Sequence, residues 1–237
     1  MAMQKSRLYT RVWIYPDIIN SWVITVYKVT KSINIKSVFD LMRMSVRRIK
    51  IWYIYVTLLI PLLFLSYDLL SGQLGVDPMR AIEKSLGITA IYILILTLCI
   101  TPFSTLTGIN FIRFRRAFGL MSFFYIVLHF STWILLDMQL RWGEIIESLT
   151  RKPFIVFGMM GFMLLIPLAA TSNNYSVKKM GKYWPKLHKL IYVAIILGGV
   201  HYLMMEKTIQ NDALITFIII MALISLRFFK LKKINWL

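Results

Sequence analysis

Six apolar runs divide this chain, at about 51–70, 86–103, 117–136, 154–171, 187–205 and 213–229. Each is close to the ~20 residues that a helix needs to cross a ~30 Å hydrocarbon core. The pattern predicts an all-α integral membrane protein built as a bundle of six spanning helices. Pro61, Pro102 and Pro167 fall in or at the ends of these runs, which spanning helices tolerate. Arg227 interrupts the last run; near a helix end its long side chain reaches the interface.

The polar stretches set the direction of the spans. The loop after the second run carries Arg113, Arg115 and Arg116, and the loop after the fourth carries Lys178, Lys179, Lys182 and Lys186. Lys230, Lys232 and Lys233 follow the last run, while Arg43, Arg47, Arg48 and Lys50 precede the first. In the other three loops Arg80 and Lys84 sit with Asp77 and Glu83, Arg141 with Glu144, and Lys207 with Glu206 and Asp212. An excess of Lys and Arg marks the cytoplasmic side. Both termini are therefore expected in the cytoplasm, with odd-numbered spans running outward.

Three regions follow: an extension at 1–50, a transmembrane domain at 51–229 and a short cytoplasmic tail at 230–237. The longest uncharged run of the extension, IINSWVITVY, is ten residues, too short to span. Nor does it have the layout of a signal peptide. Two readings stand: a basic, aromatic-bearing segment on the inner membrane surface, or untranslated sequence preceding a start at Met42 or Met44.

Composition agrees with a membrane protein. Apolar residues make up 58% of the chain and mean hydropathy is +0.68, where a soluble domain has roughly half its residues apolar. The formal net charge of +18 follows from positive-inside bias, so no nucleic-acid partner is expected. With Cys99 as the single cysteine, internal disulfides, Cys-based zinc sites and four-Cys iron–sulfur clusters are excluded.

Candidate chemistry rests on three histidines. Arg116 to His129 is thirteen residues and Lys189 to His201 is twelve. At 1.5 Å per residue both imidazoles lie ~18–20 Å from the inner edge, at one depth somewhat beyond the midplane. Two neutral imidazoles at one level on different helices are what a six-coordinate haem iron requires. Buried histidines also serve helix packing through hydrogen bonds, but ionisable groups inside a bilayer are functional by default. The runs carry no other deep charge, which argues against a proton relay or ion path. Gly198 and Gly199, just before His201, would let a flat macrocycle approach the backbone.

His188 is different. It lies at the inner edge, level with Arg115, and thirteen residues before His201. That spacing is an axial step of ~20 Å and a rotation of ~140°, so a regular helix does not point both rings at one partner. Either the helix is irregular near Pro185 or His188 faces something else. An interfacial histidine and a second ligand fit the spacing equally.

These residues lie among ordered motifs: LGVDP at 74–78, ITP at 100–102, RFRRAFGL at 113–120 with His129 ten residues after its glycine, and TRKPF at 150–154. LAATS at 168–172, GKYWPKLHKLIY at 181–192 and HYL at 201–203 follow. Over about 51–233 the chain resembles the MsrQ family, haem-binding membrane subunits of the bacterial periplasmic methionine-sulfoxide reductase system. That family lies within the ferric-reductase-like, cytochrome b-type transmembrane group. The resemblance implies haem b, one or two per chain, in the bacterial inner membrane. It further implies electron delivery to a periplasmic molybdenum-containing catalytic subunit that repairs oxidised methionines. Quinol is the implied electron source, with FMN as an associated cofactor and a cytosolic flavin reductase as another donor. The family's three histidines match His129, His188 and His201.

In relatives with two haems, the paired histidines of the third span are fourteen residues apart. Arg115 stands fourteen before His129, so the inner ligand set is incomplete by that pattern. His188 and Arg115 are then expected to form an inner electron-input site or to hold a second haem. Eight residues follow Phe229 and no G-x-G-x-x-G occurs, so electrons are expected from a separate donor. Two rival readings are a ferric reductase or cytochrome b subunit of another quinol-linked oxidoreductase, and a transporter or scaffold without redox activity.

Overall fold

Asp77 and Pro78 start the longest helix among the described residues. The Asp77 carboxylate accepts from the Arg80 backbone N–H at 3.1 Å, and Pro78 occupies the first turn, where it costs no intrahelical hydrogen bond. The helix ends at Gly108, whose φ of +67° gives a left-handed cap closing on the Ser104 carbonyl. The computed structural model describes residues 35–205 and 210–231. Residues 1–34 of the expected surface segment, the loop charges Glu206 and Lys207, and Lys232 and Lys233 lie outside the described residues.

The described elements are all helical. They are α1 Ile35–Arg48, α2 Ile51–Leu70, α3 Pro78–Thr107, α4 Arg115–Ser131, α5 Trp142–Arg151, α6 Pro153–Ala170, α7 Asn174–Met180, α8 Trp184–Leu187, α9 Leu190–Met204 and α10 Asn211–Leu231. Short 3₁₀ turns at Ile112–Phe114 and Gly181–Tyr183 lead into α4 and α8, and a π-helical stretch Thr132–Asp137 prolongs α4. Residues Met1–Ser45 and Val46–Leu237 form separate units. In the first, Arg43 and Asp40 pair at 3.3 Å on an exposed surface.

In the second unit, four helical segments are long and apolar enough to cross a membrane: Ile51–Leu70, Pro78–Thr107, Ile112–Asp137 and Pro153–Ala170. A fifth span arises if Asn174–Leu187 and Leu190–Met204, bent by 50°, are counted together. The chain is a multi-pass membrane protein. The sixth expected run lies on α10. Two expected boundaries shift. The second span starts eight residues earlier than its apolar run, because the Asp77–Pro78 cap initiates the helix in polar sequence. Arg80, Glu83 and Lys84, read as loop charges, are therefore helical. The fifth run is broken at His188–Lys189, so of the two alternatives for His188 the irregular helix near Pro185 is present.

Buried apolar side chains join the helices into a core. Ile91, Leu94 and Leu98 of α3 pack with Ile195 and Tyr202 of α9 and with Ile220 and Ile224 of α10. On its other side α3 packs Leu86, Ala90 and Ile93 against Met121 and Tyr125 of α4. Directed bonds lock that pair: the buried Ser122 hydroxyl donates to the Ala90 carbonyl at 2.9 Å, and Tyr125 donates to Leu58 of α2 at 2.7 Å. α2 has no buried residue, with Leu63 and Phe64 about two-thirds exposed at 67% and 66%. Such an apolar surface suits lipid.

The helix ends fall into two groups. At one end Arg113 donates to the Arg47 and Ile49 carbonyls at 3.0 and 2.6 Å, and Arg116 to Asn174 at 2.8 Å. This is the basic end. The start of α3, the end of the π-helical stretch and the start of α6 surround a cavity toward the other.

Candidate functional site

His129 leaves α4 just before the α-helix widens into the π-helical stretch, and His201 lies in the last turn of α9. Their rings come together, with centroids 6.0 Å apart and planes at 79°. Equal depth along the two helices was legible from residue counting; the closeness of the rings is added by the packing.

Each ring is anchored the same way. His129 Nδ1 lies 2.8 Å from the Glu83 carbonyl oxygen of α3, and His201 Nδ1 lies 2.7 Å from the Phe154 carbonyl oxygen of α6. A carbonyl only accepts, so each Nδ1 carries the proton and each neutral ring leaves Nε2 with a lone pair. Neither Nε2 has a hydrogen-bond partner among the described residues.

Both histidines line one cavity of about 420 Å³. Its apolar wall includes Leu94, Phe130, Trp133, Phe162 and Ile195, with Phe130 stacked on Phe162 at 4.9 Å between centroids. Polar liners come from the helix ends: Asp77, Arg80, Glu83 and Lys84 of the α3 start, Asp137, and Lys152 before α6. The cavity thus joins an aromatic interior to a charged rim.

Of the two glycines singled out in the sequence, Gly198 lines the cavity and has nothing within 4 Å of its Cβ position. Gly199 points elsewhere. A Cβ there would sit 2.9 Å from Phe217 and 3.1 Å from Ile220 of α10, so Gly199 serves the α9–α10 contact. Successive helical residues differ by ~100° in direction, which is why only one of two adjacent glycines can face the cavity.

His188 and Arg115 stand at the basic end. The His188 ring stacks on Trp184 at 3.9 Å between centroids, and its Nε2 lies 3.1 Å from the Thr171 hydroxyl. Trp184 in turn donates its indole N–H to the Thr171 carbonyl at 2.9 Å. This triad closes the break between α8 and α9. No other histidine lies at this level; His188 and the Arg115–Arg116 pair are electrostatic neighbours.

The sequence reading missed four partners of the histidines: the Glu83 and Phe154 carbonyls, and Gly87 and Gly158, which lie directly against the two rings. Isolated glycines within apolar runs were a usable signal, since small residues mark close approach between membrane helices. It also placed Arg80, Glu83 and Lys84 in a loop, whereas they belong to α3 and line the cavity.

Chemically, two neutral imidazoles that line one cavity, each with an unprotonated Nε2, can serve a single metal centre. Among the described residues no group of three or more His, Cys, Asp or Glu side chains could hold a metal ion. A protein-only tetrahedral site is thus not on offer there. The pair fits a metal that brings its remaining ligands in a macrocycle. With metal–nitrogen bonds of ~2 Å, two axial imidazoles have centroids ~6 Å apart, matching the 6.0 Å separation here.

Comparison with known proteins agrees with this architecture. Residues 86–199 match the family model of the ferric reductase like transmembrane component. A protein-methionine-sulfoxide reductase heme-binding subunit MsrQ from Brucella anthropi is 44% identical over 175 residues, covering 74% of this chain and 80% of that protein. The subunits of the same name from Brucella ovis and Brucella canis match to the same extent. No solved structure matches at a significant level. With a membrane family model matching residues 86–199, and 44% identity over 74% of its length, the chain belongs to the MsrQ family.

Proposed function

We propose that this chain is a b-type cytochrome subunit of a methionine-sulfoxide reductase system, carrying one haem between His129 and His201. The observation that carries the reading is the close pair itself: two helices, two Nδ1 atoms held by carbonyls, two Nε2 atoms without partners among the described residues and one cavity. Bound there, the haem would supply a one-electron ferric–ferrous couple.

The chain's own residues define the setting. His129 and His201 would be the axial ligands, their tautomers held by the Glu83 and Phe154 carbonyls. Phe130, Phe162 and Trp133 offer flat apolar surface, and the rim cations Arg80, Lys84 and Lys152 suit the two propionate carboxylates. The buried setting excludes water and tunes the potential; the redox chemistry is the cofactor's.

In this reading the six runs are six spans of a bacterial inner membrane, with the basic end and both termini in the cytoplasm. The cavity then faces the periplasmic half, where the acceptor is the molybdenum-containing catalytic subunit. Electrons enter at the basic end from the quinol pool or a cytosolic flavin reductase, with FMN as the associated carrier and His188 and Arg115 as the local groups. The name of the relatives supports a methionine-sulfoxide reductase partner; the molybdenum centre and the choice of donor rest on family resemblance.

The test is haem per purified chain with absorbance spectra, for wild type, His129→Ala and His201→Ala, followed by reoxidation of the reduced protein by the catalytic subunit. A six-coordinate haem lost in both variants and reoxidised on adding the catalytic subunit is the expected result. A wild type without haem, purified from haem-replete cells, would sink the proposal in favour of a non-redox membrane protein. A haem that ferric chelates oxidise and the catalytic subunit does not would favour a ferric reductase.

A further inference from the structure

The two histidines are held by one device used twice. His129 bonds the Glu83 carbonyl, and Gly87 stands four residues further along α3. His201 bonds the Phe154 carbonyl, and Gly158 stands four residues further along α6. The two donor–acceptor pairs are separated by 46 and 47 residues in the chain. Helix pair α3–α4 and helix pair α6–α9 thus repeat the same carbonyl, glycine and histidine constellation.

Helix geometry gives the reason for the four-residue offset. A helical side chain leans toward the N-terminus and covers the turn before its own Cα. The residue at i+4 therefore shades the carbonyl of residue i. That carbonyl already accepts the N–H of residue i+4, and its second lone pair is usable only where the shading side chain is missing. Glycine uncovers it. The fit is close: a Cβ at Gly87 would lie 3.2 Å from His129 Nδ1, and a Cβ at Gly158 would lie 2.7 Å from His201 Nδ1.

We propose that Gly87 and Gly158 are positioning residues for the two ligand histidines: each bares the backbone carbonyl that fixes its ring's orientation and tautomer, so that both Nε2 lone pairs meet one haem iron. This rests on the ligand reading above. The hydrogen bond from Nδ1–H to a carbonyl also makes each imidazole a stronger donor to the metal. An intruding methyl would loosen that bond and weaken the donor, raising the reduction potential. The effect must be graded: 2.7 Å is below any real Cβ contact, while 3.2 Å is relieved by a few tenths of an ångström.

The experiment uses the full chain in detergent, with haem per chain, the low-spin ferric EPR signal and the midpoint potential as readouts. Gly158→Ala is expected to lose haem affinity by about 10- to 100-fold, the loss typical when a ligand's outer hydrogen-bond partner is removed. Gly87→Ala should keep its haem with a shifted EPR signal and a more positive potential, and keeps the question answerable if Gly158→Ala does not fold. Two other glycines separate positioning from packing. Gly119→Ala, whose Cβ would meet only Thr97 at 3.9 Å, should be neutral. Gly199→Ala should lower thermal stability without moving the potential. Wild-type EPR signal and potential in Gly87→Ala and Gly158→Ala would overturn the inference while leaving the ligand reading intact. A haem that survives both His129→Ala and His201→Ala would overturn the ligand reading, and the inference with it.

Discussion

The cavity end and the basic end of this bundle each present histidine, and they treat it in opposite ways. At the cavity end two rings from two helix pairs converge, each anchored at Nδ1 and unpartnered at Nε2 among the described residues. At the basic end the single ring of His188 uses its Nε2 on Thr171 and lies flat on Trp184. The first arrangement leaves Nε2 without a partner among the described residues on rings that line a cavity; the second engages Nε2 with a hydroxyl at a helix break. Position near a helix end thus does not by itself leave a histidine nitrogen available. What distinguishes the two is which nitrogen the surrounding protein has already bound.

The largest expected effect comes from removing one member of the facing pair. His201→Ala or His129→Ala should abolish the six-coordinate spectrum and cut haem per chain at least ~10-fold, since a metal held by two axial nitrogens loses half its protein ligands. Retention of that spectrum in either variant would break the contrast between the two ends.

Next is Gly199→Ala. Its Cβ would overlap Phe217 and Ile220, and overpacking of this kind costs about 1–3 kcal/mol. A lower Tm with unchanged absorbance bands is the expected pattern. Altered bands would mean that the α9–α10 contact also controls the His201 ring.

Tyr125→Phe should cost less, about 0.5–1.5 kcal/mol for one lost hydrogen bond. It removes the bond to the Leu58 carbonyl, the directed tie between α4 and the otherwise lipid-facing α2. Thermal melting of the haem-loaded chain checks it, and no loss of stability would show that apolar contacts alone hold α2.

The smallest effect expected on the cofactor is that of His188→Ala, which should leave haem per chain at its wild-type value. A fall from two haems to one would instead make His188 a ligand and the basic end a second haem site.

Much of this site was readable in the chain before any packing was considered. The apolar runs at 51–70 and 154–171 correspond to Ile51–Leu70 and Pro153–Ala170 almost residue for residue, because a run of this length with no charge in its middle has one stable outcome in a bilayer. The run at 86–103 understated its helix, since hydropathy cannot see turns that project beyond the apolar layer from a capped start at Asp77. Gly198 and Gly199 looked equivalent on paper and separate once α10 packs against one of them.

What the sequence alone determined is depth. Rise per residue is set by hydrogen bonds inside each helix, so counting from Arg116 and from Lys189 places His129 and His201 at one level without knowledge of any neighbour. What only the tertiary structure decided is direction. Which way a ring points, which carbonyl lies opposite and which glycine bares it depend on how α3, α4, α6 and α9 are rotated against one another. That rotation is chosen by side chains from several helices packing at once, and no single segment contains it.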